Sequence, residues 1–213
     1  CTLAKCMKLC EKVQDVDMII DESGQATDPT TLLAFLLRPV RCLLVGDTNQ
    51  LQPYVEHGIQ VNHNFGRSMM KRLELVLFEN QLHVHTLNHF FRNTPDMIKF
   101  VNENIYDDRL ECEVNRTLLA DEGLGNMSYF MIDVDGYSLQ DKKINRKEAI
   151  AVIKFAEYFL TRPGIQSSDI VVICDYKDQK EYIEKELLKK KLKIRAMTTD
   201  SSQGNEYKVV LVS

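Results

Sequence analysis

Apolar residues come in short runs along this chain, and each run stops abruptly at polar, turn-forming residues. Residues 18–20 (Met-Ile-Ile) have the length and β-branched bias of a short buried strand, and they end in the adjacent acids Asp21 and Glu22. Residues 40–45 form a second such run, which ends in Gly46-Asp47-Thr48-Asn49-Gln50-Leu51-Gln52-Pro53. The stretch between them, 28–39, predicts a helix: Asp28 caps it, Pro29 suits its first position and Pro39 stops it. Strand, helix, strand is the right-handed crossover of a parallel sheet, so both polar loops leave the same sheet edge. Further along, 67–78 has helical spacing with Met69, Met70, Leu73 and Leu77 on one face. Residues 128–134 read as a strand, and 146–160 as a helix with Ala149, Val152, Ile153, Ala156 and Leu160 inward. Residues 170–174 predict a buried strand, and 177–191 a charged helix with Tyr182, Ile183 and Leu187 inward. The chain closes on two strands around a polar loop that holds Gly204. Residues 2–9 begin a helix, while the stretch after Pro53 up to Gly66 and residues 110–125 read as loops.

The first loop carries the chemistry. Ligands of open α/β sheets bind at the carboxyl ends of strands. Neighbouring side chains on an extended segment point to opposite sides, so Asp21 and Glu22 are free to do different jobs. One carboxylate on a metal and the next on a water is the arrangement that Mg-nucleotide chemistry needs. A plain strand-to-turn junction stays open as the alternative at this point. Composition narrows the picture without deciding it. The 213 residues suffice for one large domain or two small ones, and the net charge of −4 is not the footprint of a strongly basic nucleic-acid binder. A local basic groove on an acidic protein is compatible with that charge. No apolar run approaches the ~20 residues of a membrane span, and the six scattered cysteines read as reduced thiols of an intracellular protein, cytoplasmic or nuclear. Cys1, Cys6 and Cys10 lack the paired spacing and fourth ligand of a zinc site. His83, His85 and His89 cluster near a strand-like run, where imidazoles are more often hydrogen-bonded than metal-bound.

The motifs also carry a resemblance. Asp21-Glu22-Ser23-Gly24-Gln25-Ala26-Thr27, followed by Val45-Gly46-Asp47-Thr48-Asn49-Gln50-Leu51-Gln52-Pro53, resembles motifs II and III of superfamily 1 helicases. The branch is that of the nonsense-mediated-decay (up-frameshift-like) RNA helicase, with Asp-Glu-x-x-Gln-Ala and Gly-Asp-x-x-Gln-Leu-x-Pro cores. Phe91-Arg92 and Pro95 resemble that family's motif IV, with Phe90, Asn93 and Thr94 departing from its Gln, Met and His. Asp200-Ser201-Ser202-Gln203-Gly204-Asn205-Glu206 resembles motif V, and Asn145-Arg146-Lys147-Glu148-Ala149 fits the family's Asn-x-x-Glu-Ala signature. The resemblance implies an α/β fold of two RecA-like P-loop NTPase-type domains with parallel sheets, the first incomplete, at residues 1–86 and 87–213. It implies ATP bound in the cleft between them with Mg²⁺. Asp21 then holds Mg²⁺ through its water shell, and Glu22 is the general base for the attacking water. Gln50 senses the γ-phosphate, Arg92 is an arginine finger, and Glu206 contacts the ribose or a switch arginine. Pro53, Thr198 and Thr199 lie near a single strand of RNA or DNA, contacted without base reading. Movement is implied to be 5′-to-3′; protein partners are left unspecified.

The 213 residues contain no Gly-x-x-x-x-Gly-Lys-Ser/Thr, the loop whose amides and lysine hold phosphates, nor the family's last motif. The expectation is therefore the middle of a motor, an internal piece that is itself inactive as an ATPase. A catalytically inactive helicase-like module that binds nucleic acid or protein is the rival reading, favoured by Phe90 and the missing loop. An AAA-type nucleotide switch is a further one, disfavoured by the joint motif III and motif V loops.

Overall fold

The computed structural model of the chain describes residues 1–55, 66–114, 128–137 and 143–213. These fall into two compact units, Cys1–Phe90 with Val101–Glu111, and Phe91–Phe100 with Cys112–Ser213. The expected loop before Gly66 and most of the 110–125 loop lie outside the described residues. Among the described residues, no helix is long and apolar enough to cross a membrane.

The first unit is built on two parallel strands, β1 (Asp17–Ile20) and β2 (Arg41–Leu44), in register from Asp17 opposite Arg41 to Ile20 opposite Leu44. The connection is the expected crossover with a different interior. Helix α2 (Asp28–Leu32) gives way to a 3₁₀ turn at Leu33–Leu37, closed by Arg38 in the left-handed region. Thr27, not Asp28, is the cap: its side chain accepts the Thr30 N–H, and Asp28 is the first helical residue with Pro29 behind it. The tighter turn faces Ala34 and Leu37 inward, where they join Ile20 and Cys6 of helix α1 (Leu3–Leu9) in a small core. Helix α3 (Met69–Glu79) is capped by Ser68, which accepts the Lys71 N–H. Its expected apolar face is buried only at Met69, and Leu73 is left at the edge. Two-residue strands β3 (His89–Phe90) and β4 (Glu111–Cys112) flank helix α4 (Pro95–Ile105) in sequence.

The second unit holds a three-stranded parallel sheet in the order β6-β5-β7, with β5 at Ile170–Cys174, β6 at Arg195–Thr198 and β7 at Val209–Val212. β5 is central, and Ile170, Val171, Val172 and Cys174 are wholly buried, as expected for a continuous apolar run in a parallel sheet. Helices α5 (Arg146–Leu160) and α6 (Lys177–Lys189) cover it with Ala149, Val152, Ile153, Ala156, Ile183 and Leu187, the faces anticipated from their spacing. Phe159 is buried as well, while Leu160 packs only partly. Helix α7 (Thr199–Ser202) is a single capped turn between β6 and β7. Residues 128–134 form no strand, contrary to the expectation from their apolar content. Among the described residues they have no ladder partner: Phe130 packs its ring 5.9 Å from Phe155 against the core, and Met131 points almost fully to solvent.

Candidate functional site

In the first unit, the two polar loops after β1 and β2 touch backbone to backbone. A Cβ placed on Gly24 would meet the Asp47 carbonyl oxygen at 2.7 Å, and one on Gly46 would meet the Ser23 and Gly24 nitrogens at 3.0 and 3.1 Å. Only glycine at both positions permits that approach. The contact is bonded as well as close: the Ser23 N–H donates to Val45 O at 2.9 Å, and Ser23 Oγ donates to the same carbonyl at 2.9 Å. Helix α3 supports both loops. Met70 Sδ lies 3.0 Å from Ser23 Oγ, and Thr48 Oγ1 donates to Glu74 Oε2 at 2.8 Å, an oxygen that Lys71 Nζ also reaches at 3.0 Å.

This packing fixes the acids. Glu22 adopts φ 52° and ψ 35°, the left-handed region, which costs an L-residue roughly 1–2 kcal/mol and turns the chain sharply out of the sheet. Asp21 and Glu22 are both exposed at the strand's carboxyl end. Asp21 Oδ1 accepts the Glu22 N–H at 3.0 Å, and Gln25 Nε2 donates to Glu22 Oε2 at 2.9 Å. Gln50, expected to read phosphate, donates from Nε2 to Asp47 Oδ2 at 2.9 Å. Asp47 is the hub that sequence reasoning passed over. Its Oδ1 takes the Asn49 N–H at 2.9 Å, and its Oδ2 also takes the Tyr106 hydroxyl at 2.7 Å. Burial beside the Asp47 carboxylate pushes the Tyr106 phenol up to about 12. Pro53 is buried.

The other expected residues lie in the second unit. Arg92 and Glu206 are brought together: Arg92 Nε sits 3.5 Å from Glu206 Oε2, with both side chains more than half exposed. Thr198 caps α7 and bonds Ser201 Oγ at 3.0 Å, and Thr199 Oγ1 donates to Asp175 Oδ1 at 2.8 Å, across the carboxyl ends of β5 and β6. The Asn-x-x-Glu signature acquires a physical reason. Asn145 caps α5, accepting the Lys147 and Glu148 N–H groups, and donates to Glu148 Oε1 at 2.8 Å. Buried Gln179 pairs with the Asn145 backbone in both directions at 2.9 and 3.0 Å and donates to Ser213 Oγ at 2.8 Å. Gln179 carried no signal of its own in the helical pattern, being polar on a buried face.

Of the residues weighed as metal ligands, His89 lies with Glu111 and Glu113, exposed groups whose ligand atoms are all within 4.8 Å of one another. All six cysteines are free, with Cys1 and Cys6 sulfurs 3.9 Å apart and Cys10 donating to Met7 O. His83 and His85 meet edge to face at 4.7 Å, and His89 Nδ1 lies 3.9 Å from Glu111 Oε2.

Two family profiles, each described as an AAA domain, match residues 65–213 and 1–57. Among curated relatives, the probable helicase senataxin of Mus musculus is 29% identical over 211 residues, covering 92% of this chain and 8% of the relative. The DNA replication ATP-dependent helicase/nuclease DNA2 of Gallus gallus is 28% identical over 197 residues, 92% of this chain and 19% of the relative. The helicase required for RNAi-mediated heterochromatin assembly 1 of Schizosaccharomyces pombe is 27% identical over 223 residues, 99% of this chain and 21% of the relative. The chain thus spans between 8% and 21% of the length of these relatives. The AAA description is broad, and the relatives matched across the same residues are helicases: the chain belongs to the superfamily 1 helicases, in the up-frameshift-like branch.

Proposed function

We propose that the full-length protein hydrolyses ATP with Mg²⁺ and couples hydrolysis to 5′-to-3′ movement on single-stranded RNA or DNA, through RecA-like domains at residues 1–86 and 87–213. The observation that carries the reading is the backbone contact between the Asp21–Glu22 loop and the Gly46–Gln50 loop at the carboxyl end of a parallel strand pair. That is where open α/β sheets take their ligands. The residues suit the cofactor, because Asp21 and Glu22 offer the hard carboxylate oxygens that Mg²⁺ accepts. Asp21 would hold the ion, which would offset charge on the phosphates. Glu22 stands one residue on, on a backbone that turns it away from the sheet, and takes the proton of the attacking water. Gln50 reads the γ-phosphate. Arg92 is restrained by one exposed ion pair, a contact worth only about 0–1 kcal/mol, so it can leave Glu206 for a phosphate as charge develops there. Thr198, Thr199 and Pro53 are assigned to the nucleic-acid strand, with Glu206 near the ribose.

The test is Glu22→Gln in the full-length protein. ATP binding should persist, and strand-stimulated turnover should fall by ~100-fold or more, the usual scale for removing a positioned base. Wild-type turnover in that variant overturns the assignment of Glu22. A wild-type protein that binds nucleic acid without any hydrolysis establishes the inactive-module reading instead.

A further inference from the structure

Asp47 presents one oxygen to two donors, Gln50 Nε2 at 2.9 Å and the Tyr106 hydroxyl at 2.7 Å. From these two bonds we infer that Tyr106 is a positioning residue for the hydrolysis site: its hydroxyl fixes the Asp47 carboxylate, and the carboxylate in turn fixes the Gln50 carboxamide. The inference rests on the reading of Gln50 as the phosphate-facing amide.

Three features make this more than a chance contact. First, Tyr106 is itself held. Its N–H bonds the Val101 and Asn102 carbonyls at 3.2 Å. The turn that follows, Asp107 and Asp108, is left-handed at both residues and returns at once to the helix, with the Asp108 N–H on Asn102 O at 3.0 Å. Asn102 then clamps Leu110 in both directions, Leu110 N–H to Asn102 Oδ1 at 2.9 Å and Asn102 Nδ2 to Leu110 O at 3.1 Å. The ring therefore approaches Asp47 from a rigid corner. Second, the carboxylate accepts from three donors, Asn49 N–H on Oδ1 with Gln50 and Tyr106 on Oδ2, filling three of its roughly four acceptor sites, which suits an orienting group. Third, the polarity is one-way. An ionised carboxylate only accepts, so Gln50 must turn its NH₂ edge to Asp47, which takes one amide hydrogen and leaves the second to donate to a phosphate. A rotated carboxylate would release that constraint and let the amide flip. The raised phenol pKa agrees: burial first, and then the Asp47 carboxylate, keep the hydroxyl protonated and donating.

The experiment is a double-mutant cycle in the full-length protein, read as strand-stimulated ATP hydrolysis at saturating and limiting ATP. Tyr106→Phe, which keeps the ring and removes the donor, should lower kcat about tenfold and leave KM for ATP within about twofold. In a Gln50→Ala background the same change should cost nothing further. A purely structural role would lower kcat by the same factor in both backgrounds, and that result overturns the proposal. Wild-type kcat in Tyr106→Phe, with Gln50→Ala impaired, also overturns it while the reading of Gln50 stands. Wild-type kcat in Gln50→Ala removes the reading of Gln50 and the proposal with it. Should Tyr106→Phe not fold, Asp47→Asn leaves one carbonyl oxygen for three donors, the Asn49 N–H, Gln50 and Tyr106; the tenfold loss is expected there too, and wild-type kcat in it overturns the proposal.

Discussion

β1 and β5 begin from the same kind of sequence, a short β-branched run in a parallel sheet, and end in opposite states. In β5 four of the five residues are wholly buried. In β1 Ile19 is 70% exposed and its register partner Leu43 is 56% exposed. Neighbours make the difference: β5 has a parallel strand on each side and two long helices across it, and β1 pairs with β2 alone among the described strands. Asp21, Glu22 and Gln50 stand at the ends of the less covered pair. They are held there by the contact between two glycine-bearing loops and by the Asp47 hub, not by a sealed core. Precision at a site and burial of the sheet beneath it are thus separate properties, achieved here by separate means.

The largest effect should fall on the sealed unit. Phe159→Ala removes a ring that is 2% exposed, and should cost ~3–5 kcal/mol in urea unfolding followed by circular dichroism. A loss below about 1 kcal/mol would show that the second core is looser than its burial suggests. Next comes Gly24→Ala. Its Cβ has no room against the Asp47 carbonyl, so the loops must part; about 1–3 kcal/mol of stability should go, and strand-stimulated hydrolysis should fall further than that loss of folded protein accounts for. Equal losses of folding and turnover would mean that the loop contact serves stability alone. The polar hub can be read by an ultraviolet absorbance titration. Tyr106 should ionise near 12, above an ordinary tyrosine near 10, and this late step should vanish in Tyr106→Phe. Because the folded state raises this pKa, its stabilising share is fully present below pH 10 and is lost as the pH climbs through 12. The smallest effect belongs to the exposed face: Ile19→Thr should change stability by only about 0.5 kcal/mol or less.

What the sequence discloses follows from what is local. The break from 18–20 into Asp21 and Glu22 and the break from 40–45 into Gly46-Asp47 were both visible, because an apolar run ending in turn-formers is a short-range signal. The faces of α5 and α6 were visible for the same reason, since a helix repeats its buried side every turn. Three expectations failed where the outcome depended on distant partners. Residues 128–134 have strand-like composition but no ladder to join among the described residues. The 28–39 helix tightens into a 3₁₀ turn at Leu33–Leu37, which turns Ala34 and Leu37 into the core. Asp28 yields the cap to Thr27, and its carboxylate meets Arg72 Nε at 2.7 Å. The bond from Tyr106 to Asp47 joins residues 59 positions apart, and the buried amide of Gln179 pairs with residues 34 positions away on either side. No periodicity carries information over such separations.

The contact between Gly24 and the Asp47 carbonyl also acts as a main-chain gauge. It sets the spacing between the two loops by peptide atoms, whatever side chains stand beside them. Asn49, which gives only its backbone N–H to Asp47, can then drift in sequence with little displacement of Gln50 relative to Glu22, whereas any side chain at position 24 resets the distance at once. A mutational survey of these loops should therefore divide by backbone geometry rather than by chemical similarity: conservative exchange at the glycine is barred, and unlike residues beside it are admitted.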